Sequence, residues 1–306
     1  MIAPPEPTEG VIAWNVCTSC NFRCSYCSQR MKDDRGRWAR DTPAFLRAFG
    51  RLPGSGVSEL SGGEPFVHPR FIEIVTGLAA LELRISVVTN LSATDAELDR
   101  FLDAAAGRLG VLSASLHLEY VDDVGAFAKR AQRIASRLAD TSASLCVTTV
   151  ATAAAMPRLS DLAKLFTDEG LSLKIQPERD EGHIVDYEPA DVALIEELGG
   201  HNGPGATAYD SFGRARWAGA RFFVMDDRGE VYRCYPARRS VLTALRVGSG
   251  KIPNPERERS LGKLGNFLDP SFRIPKGPEP CLYRHCYCSV PIARGMMARE
   301  ALGGAA

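Results

Sequence analysis

No apolar run in this 306-residue chain approaches the ~18 residues that a bilayer crossing demands. Its opening, Met1-Ile2-Ala3-Pro4-Pro5-Glu6-Pro7, has no basic stretch followed by an apolar core, which argues against an export signal. Charge of either sign in excess is also missing, with 37 Lys and Arg against 37 Asp and Glu. A neutral chain offers no footing for non-specific binding to nucleic acid or an anionic membrane. These shortages lead to the expectation of a cytoplasmic protein with neither nucleic acid nor membrane as partner. Residues 1–10 are a Pro-rich lead with no room for a separate domain before the first strand.

What the chain does have is cysteine, nine in all. Eight fall in two clusters, at 17–27 and 234–288, with Cys146 alone between them. Without an export signal, clustered cysteines favour metal binding over disulfides. The first cluster reads Cys17-Thr18-Ser19-Cys20-Asn21-Phe22-Arg23-Cys24-Ser25-Tyr26-Cys27. Cys20, Cys24 and Cys27 stand in the spacing C-x3-C-x2-C. Three thiolates on a short loop leave one iron of a [4Fe–4S] cubane without a protein ligand, open to a substrate or cofactor. The pairs Cys17/Cys20 and Cys24/Cys27 also invite a zinc knuckle, but zinc ribbons separate their pairs by ~15–20 residues, and here the gap is three. Cys17 reads as a strand-end residue outside the triad.

The rest of the first two thirds alternates. Strands are expected at 11–16, 54–60, 84–90, 110–117, 143–150 and 171–177. Helices are expected at 69–81, 94–106, 123–138 and 156–169, with a further one opened by Thr42 as N-cap and Pro43 in its first turn. Six strand–helix units of this kind predict a parallel sheet in an α/β fold. Chemistry in barrels of such units sits at the C-terminal ends of the strands. That position selects Asn15, Glu64, Asn90, Ser115, His117, Glu119, Thr149, Gln176 and Arg179.

The motif C-x3-C-x-aromatic-C after a first strand resembles the radical S-adenosylmethionine (SAM) superfamily. The resemblance implies a partial (β/α)6 TIM-type barrel over residues 1–200. It also implies a [4Fe–4S] cluster on Cys20, Cys24 and Cys27, whose open iron binds SAM and whose reduction cleaves SAM to a 5′-deoxyadenosyl radical. An external one-electron reductant of flavodoxin or ferredoxin type follows as a partner. Ser61-Gly62-Gly63-Glu64-Pro65 is similar to the family's second motif, where the backbone meets the SAM amino group; a carboxylate such as Glu64 suits an ammonium. By the same resemblance Tyr26, Gly62, Gly63, Asn90, Ser115, His117 and Ile175 are candidate cofactor contacts, Tyr26 and Ile175 toward the adenine. Asn15, Glu119, Gln176 and Arg179 are candidate substrate contacts, and Cys146 is a candidate hydrogen-atom donor.

The rhythm stops after residue 200. A hairpin is expected around Asp226-Asp227-Arg228-Gly229, and the spacing Gly229-x4-Cys234 resembles the auxiliary-cluster extension called SPASM, or its shorter relative, twitch. Trp217-Ala218-Gly219 occupies the place of the expected Cys-x-Gly. Residues 201–306 are therefore expected to form a small hairpin-and-loop domain. There Cys234, Cys281, Cys286 and Cys288 would hold one auxiliary [4Fe–4S] cluster. His285 is a substitute ligand, and structural zinc is the alternative.

The expected activity is hydrogen abstraction by a radical SAM oxidoreductase or lyase in natural-product biosynthesis: dehydrogenation, epimerisation or bond formation. The short chain favours a small hydroxylated metabolite (sugar, aminocyclitol or nucleoside) as substrate. The alternatives are a peptide-modifying enzyme and a non-catalytic zinc or iron–sulfur protein.

Overall fold

The computed structural model describes residues 6–27, 29, 33–52, 56–105, 107–180, 183–199, 212–247 and 255–284. Strand β1 (Gly10–Cys17) is buried from Val11 onward. Strands β2 (Gly56–Gly62), β3 (Arg84–Thr89), β4 (Leu109–Ser115), β5 (Ser144–Ala151) and β6 (Leu173–Pro177) follow it in space in chain order. Every neighbouring pair among them is parallel. Parallel neighbours need long crossovers. Helices α1 (Arg35–Phe49), α2 (Phe71–Ala80), α3 (Asp95–Ala104), α4 (Val124–Leu138) and α5 (Leu159–Asp168) supply them. The mixed α/β architecture with a parallel core is the partial TIM-type barrel that the sequence led us to expect.

A two-stranded ribbon, β7 (Arg179–Asp180) and β8 (His183–Ile184), and helix α6 (Pro189–Gly199) follow β6. The C-terminal part contains β9 (Ala215–Arg216), β10 (Phe222–Met225), β11 (Glu230–Tyr232), α7 (Tyr235–Val247), α8 (Pro255–Ser260), β12 (Lys263–Asn266) and β13 (Glu279–Pro280). Strand β10 lies parallel to β1, and β11 and β12 continue the sheet antiparallel, giving nine strands in the order β12-β11-β10-β1-β2-β3-β4-β5-β6. The expected hairpin is present. Asp226 Oδ1 accepts from the backbone N–H of Arg228 (2.9 Å) and Glu230 (3.0 Å), and Gly229 takes φ +80° in the turn.

Strand β1 separates two cores by alternation. Ile12, Trp14 and Val16 join the main core, where Trp14 packs on Phe45 and Phe49 of α1. Val11 and Ala13 join a second cluster with Trp217, Phe222, Val224, Cys234, Ala237 and Val241. Helix α7 thus lies against the face of β1 opposite to α1.

Helix α1 begins well before the predicted start. Thr42 is not its N-cap: Thr42 Oγ1 donates to the carbonyl of Trp38 at 2.6 Å, and Pro43 lies inside the helix. Burial of Trp38, Thr42, Phe45 and Phe49 on one stripe carries the helix across the proline. Pro43 has no N–H for the carbonyl of Ala39, and Arg70 Nη1 donates to that carbonyl in its place. The residue at the N-cap, Asp34, makes no side-chain bond to its own helix. Its carboxylate is directed to the cysteine loop.

Candidate active site: a three-cysteine loop over the strand ends

The loop leaving β1 is held by residues from four other segments. Asp34 Oδ1 accepts from Ser19 Oγ at 2.6 Å, and Oδ2 accepts from Thr18 N–H. Burial raises the Asp34 carboxyl, but the hydrogen bonds from Ser19 and Thr18 outweigh it and hold the group below its ordinary range. The turn after β2 docks from beneath. Gly63 N–H donates to Cys17 O and Glu64 N–H to Ser19 O, both at 2.9 Å. A Cβ on Gly62 would lie 2.3 Å from Cys17 O, and one on Gly63 only 1.9 Å from Ser19 O. Gly62 also has φ +138°. The two glycines therefore serve the close approach of the cysteine loop itself.

Glu64 is 1% exposed. Its Oε1 accepts from Thr89 Oγ1 (2.7 Å) and Phe66 N–H (3.2 Å), and its Oε2 accepts from Asn90 N–H (2.6 Å). Burial lifts its pKa to about 7 against these three donors. The carboxylate that the sequence assigned to an ammonium ion is thus bonded to the end of β3, which it ties to the turn after β2. Asn90 Nδ2 donates to Asn21 Oδ1 at 2.9 Å, and Asn21 Nδ2 donates to Ser92 Oγ at 2.8 Å. The cap of α3 is Thr94, in a reciprocal pair with Glu97.

From the far side, the segment after β4 reaches over the loop. Tyr26 Oη and His117 Nδ1 are 2.8 Å apart. Glu119 accepts from both Ser25 N–H (2.9 Å) and Ser25 Oγ. Tyr120 Oη accepts from Arg23 N–H at 2.8 Å, and its ring stacks on Phe22 with centroids 4.5 Å apart. Burial lowers the His117 pKa, which favours the neutral ring.

Cys20, Cys24 and Cys27 line a cleft of about 390 Å³ with Gly62, Gly63, Asn90, Ser115, His117, Thr149, Gln176 and Arg179. Phe22 N–H donates to Cys20 Sγ at 3.3 Å. Burial pushes up the thiols of Cys20 and Cys24, the latter to about 11, so binding iron here must release protons. Among the described residues no three His, Cys, Asp or Glu side chains are gathered as one metal ion would require; a cubane distributes its thiolates over separate irons. The open loop, its donor set of three thiols and the adjoining polar cleft fit such a cluster with a ligand beside it.

Four sequence candidates are placed elsewhere. Asn15 is 1% exposed and lies between Ser61 and Arg238 of α7, away from the cleft, because β1 is covered there by the C-terminal helix. Ile175 is fully buried in the main core, and its neighbour Gln176 takes the cleft position by strand alternation. Glu119 is bonded to the cysteine loop and does not line the cleft. Cys146 pairs in register with Ser113 and stands two residues before Thr148; Ser113 and Thr148 line the cleft and Cys146 does not. Cys17 is fully buried and does not line the cleft; its Sγ donates to Glu64 O (3.4 Å) and Ser19 O (3.5 Å). Sequence reading missed the roles of Asp34, Asn21, Ser25 and Tyr120 around this loop.

In the C-terminal part, Cys234 is buried and Cys281 half-buried. Cys281 Sγ donates to Tyr283 O at 3.4 Å, and Tyr283 packs against the cluster that contains Cys234. Cys286, Cys288 and His285 lie outside the described residues. No helix among the described residues is long and apolar enough to cross a membrane.

A parallel partial barrel with three thiols on the loop after its first strand, above a cleft at the strand ends, defines an α/β-barrel enzyme of the iron–sulfur class. Residues 14–141 match the radical SAM superfamily, and this part of the chain is a radical SAM domain, which implies SAM and a [4Fe–4S] cluster. The PqqA peptide cyclase of Methylorubrum populi is 39% identical over 88 residues, 28% of this chain and 23% of that protein. The PqqA peptide cyclase of Methylorubrum extorquens is 34% identical over 110 residues, 35% of this chain and 27% of that protein. The matching stretch thus spans about a quarter of these curated relatives. Streptococcus suis SuiB, solved with its precursor peptide SuiA, superposes with a TM-score of 0.55 at 13% identity, over 87% of this chain and 65% of that one, and shares the fold. These relatives overturn the expectation of a small hydroxylated metabolite, and of a small-molecule partner with it. That expectation leaned on the shortness of the segment before β1, which carries no information about the substrate.

Proposed function

We propose that this protein is a radical SAM enzyme that modifies a peptide by oxidative bond formation, such as ring closure between two residues. The observation that carries the reading is the identity of 34–39% to peptide cyclases over 88 to 110 residues. The cleft of about 390 Å³ at the mouth of the strands supports it, having room for a side chain presented by a longer ligand.

Cys20, Cys24 and Cys27 would hold the [4Fe–4S] cluster, and an external one-electron carrier would reduce it. Bound there, cluster and SAM supply a radical able to take a hydrogen atom from an unactivated carbon. The chain's own residues hold and orient. Gly62 and Gly63 bring the turn after β2 against the cysteine loop, and Glu64 fixes that turn to β3. Asn90, Ser115 and His117 line the cleft and would meet SAM. Gln176 and Arg179 line the end of the cleft at β6 and would meet the peptide. Ring closure removes two hydrogen atoms from the peptide, so an electron acceptor is needed. Cys234, Cys281, Cys286 and Cys288 are the residues that would hold one, as a twitch-like second [4Fe–4S] site in residues 201–306. The enzyme would work in the cytoplasm, where a reductant is at hand.

The test is turnover under anaerobic conditions with SAM, dithionite and short peptides encoded beside the gene. The expected result is 5′-deoxyadenosine together with a peptide lighter by two hydrogens. SAM cleavage that is unaffected by any such peptide but stimulated by a small metabolite would end the peptide reading.

A further inference from the structure

The cysteine loop is exposed, short of regular structure, and yet must offer three thiols in one arrangement. Its N-terminal half is anchored by backbone pairing with the Gly62–Gly63 turn and by Asp34. Among the described residues, its second half, from Phe22 to Cys27, makes one backbone–backbone bond, Cys27 N–H to Cys24 O at 3.1 Å. What reaches this half is the segment after β4. Arg23 N–H is taken by Tyr120 Oη, Ser25 N–H and Oγ by the two oxygens of Glu119, and Tyr26 Oη is hydrogen-bonded to His117 Nδ1. These partners fall on three residues within four positions, and the amides that Tyr120 and Glu119 take are those flanking Cys24. That segment is itself folded as a turn, with Tyr120 N–H and Val121 N–H both donating to His117 O at 2.9 and 3.0 Å.

We propose that Glu119, with Tyr120, is a positioning clasp for the loop that carries Cys24 and Cys27. Glu119 fixes Ser25, and so fixes the direction in which the thiol on either side of it points. The inference rests on Cys20, Cys24 and Cys27 being the cluster ligands. It assigns Glu119 to the loop, and so to an effect on the cluster, with no contact to substrate. Groups that orient ligands in this way are worth ~10–100-fold in metal affinity. Because a carboxylate is held beside the thiolates, its charge also makes the cluster harder to reduce.

The clasp makes two separable demands. Glu119→Gln keeps an acceptor for Ser25 N–H and supplies an amide donor for Ser25 Oγ, while removing the charge. Glu119→Ala removes both. The first measurement is hydrogen exchange of the Arg23 and Ser25 amides in the anaerobic metal-free chain, which reads the clasp without any cluster. The second is the rate at which the reconstituted protein loses iron to a chelator, with the midpoint potential followed by electron paramagnetic resonance. Glu119→Ala is expected to speed Ser25 exchange and iron loss by about 10-fold or more. Glu119→Gln is expected to restore both to near the parent values while moving the midpoint upward. Tyr120→Phe keeps the stack on Phe22 and should release the Arg23 amide alone, which decides the matter if Glu119→Ala does not fold. The proposal is overturned if Glu119→Ala leaves exchange and iron retention unchanged, or if glutamine fails to rescue them. It is equally overturned by a midpoint that does not move in Glu119→Gln. A parent protein that takes up no iron would refute the cluster reading, while the exchange comparison would still decide the clasp.

Discussion

Arg238 on α7 places both terminal nitrogens of its guanidinium against the amide oxygen of Asn15, at 3.0 and 3.1 Å, in the amide orientation that also lets Asn15 donate to Ser61 Oγ at 3.0 Å. Asn15 lies near the end of β1, two residues before Cys17, and Ser61 lies at the end of β2, just before Gly62 and Gly63. Arg238 N–H meanwhile donates to Cys234 O at 3.0 Å. One residue thus joins the C-terminal cysteine segment to both motifs of the radical SAM domain. Arg238→Ala would leave a buried acceptor on Asn15 without its donor, a loss on the order of 1–3 kcal/mol. Urea unfolding checks this, and a midpoint equal to the parent's would mean that Asn15 finds a substitute.

Gly63 tests the contact on which the loop is built. Adding one methyl group places a carbon 1.9 Å from Ser19 O, a backbone atom that cannot swing away as a side chain would. Gly63→Ala must therefore push the cysteine loop off the β2 turn. Overpacking of this kind costs about 1–3 kcal/mol, and here it should also lower iron uptake severalfold. The measurement is iron and sulfide per chain after reconstitution, beside thermal unfolding. Normal iron content would show that the loop can bind its cluster without this approach.

Much of this was legible in the sequence, and the failures have definite causes. The parallel core was readable because apolar strands alternate with amphipathic helices. The triad was readable because its spacing is a chemical requirement. The start of α1 was misplaced because Pro43 looked like a first-turn residue; the substitute donor for Ala39 is Arg70, a residue from another element that no local rule could supply. Asn15 and Glu119 were assigned by their position at strand ends, and Ile175 by the resemblance. Position gives the end of a strand but not which face is covered. Helix α7 covers Asn15, and the helical layer covers Ile175. The small-metabolite expectation failed because it was argued from the length of chain before β1 and not from any residue of the site.

Cys17 separates membership of a cysteine cluster from ligation. Burial raises its thiol pKa well above the ordinary range, and its proton is shared with the carbonyls of Glu64 and Ser19. A neutral buried thiol is a small apolar group and not a metal ligand. Cys17→Ala should retain SAM cleavage and the full iron content, with a stability loss of about 1 kcal/mol for the lost contacts. Cys20→Ala, Cys24→Ala and Cys27→Ala should each abolish 5′-deoxyadenosine formation. If Cys17→Ala loses iron as those three do, the assignment of the ligands is wrong.

His68 gives the chain a pH dependence whose sign follows from its surroundings. It is 4% exposed, its Nδ1 accepts from Arg70 N–H at 3.1 Å, and its ring lies 4.9 Å from that of Trp38. Burial lowers its pKa from 6.5 to about 4, the nearby Asp34 charge opposing only in part. Between those values the unfolded chain binds the proton and the folded one does not. Stability from this group is therefore full above about pH 6.5 and is lost as pH falls toward 4. The loss amounts to roughly 3 kcal/mol at most. His68→Asn keeps an acceptor for Arg70 N–H but has nothing to titrate, so its unfolding midpoint should fall less steeply between about pH 7 and about pH 4.5. Parallel curves for parent and variant would mean that His68 takes its proton within the fold, and that the packing between α1 and the turn before α2 opens to admit water.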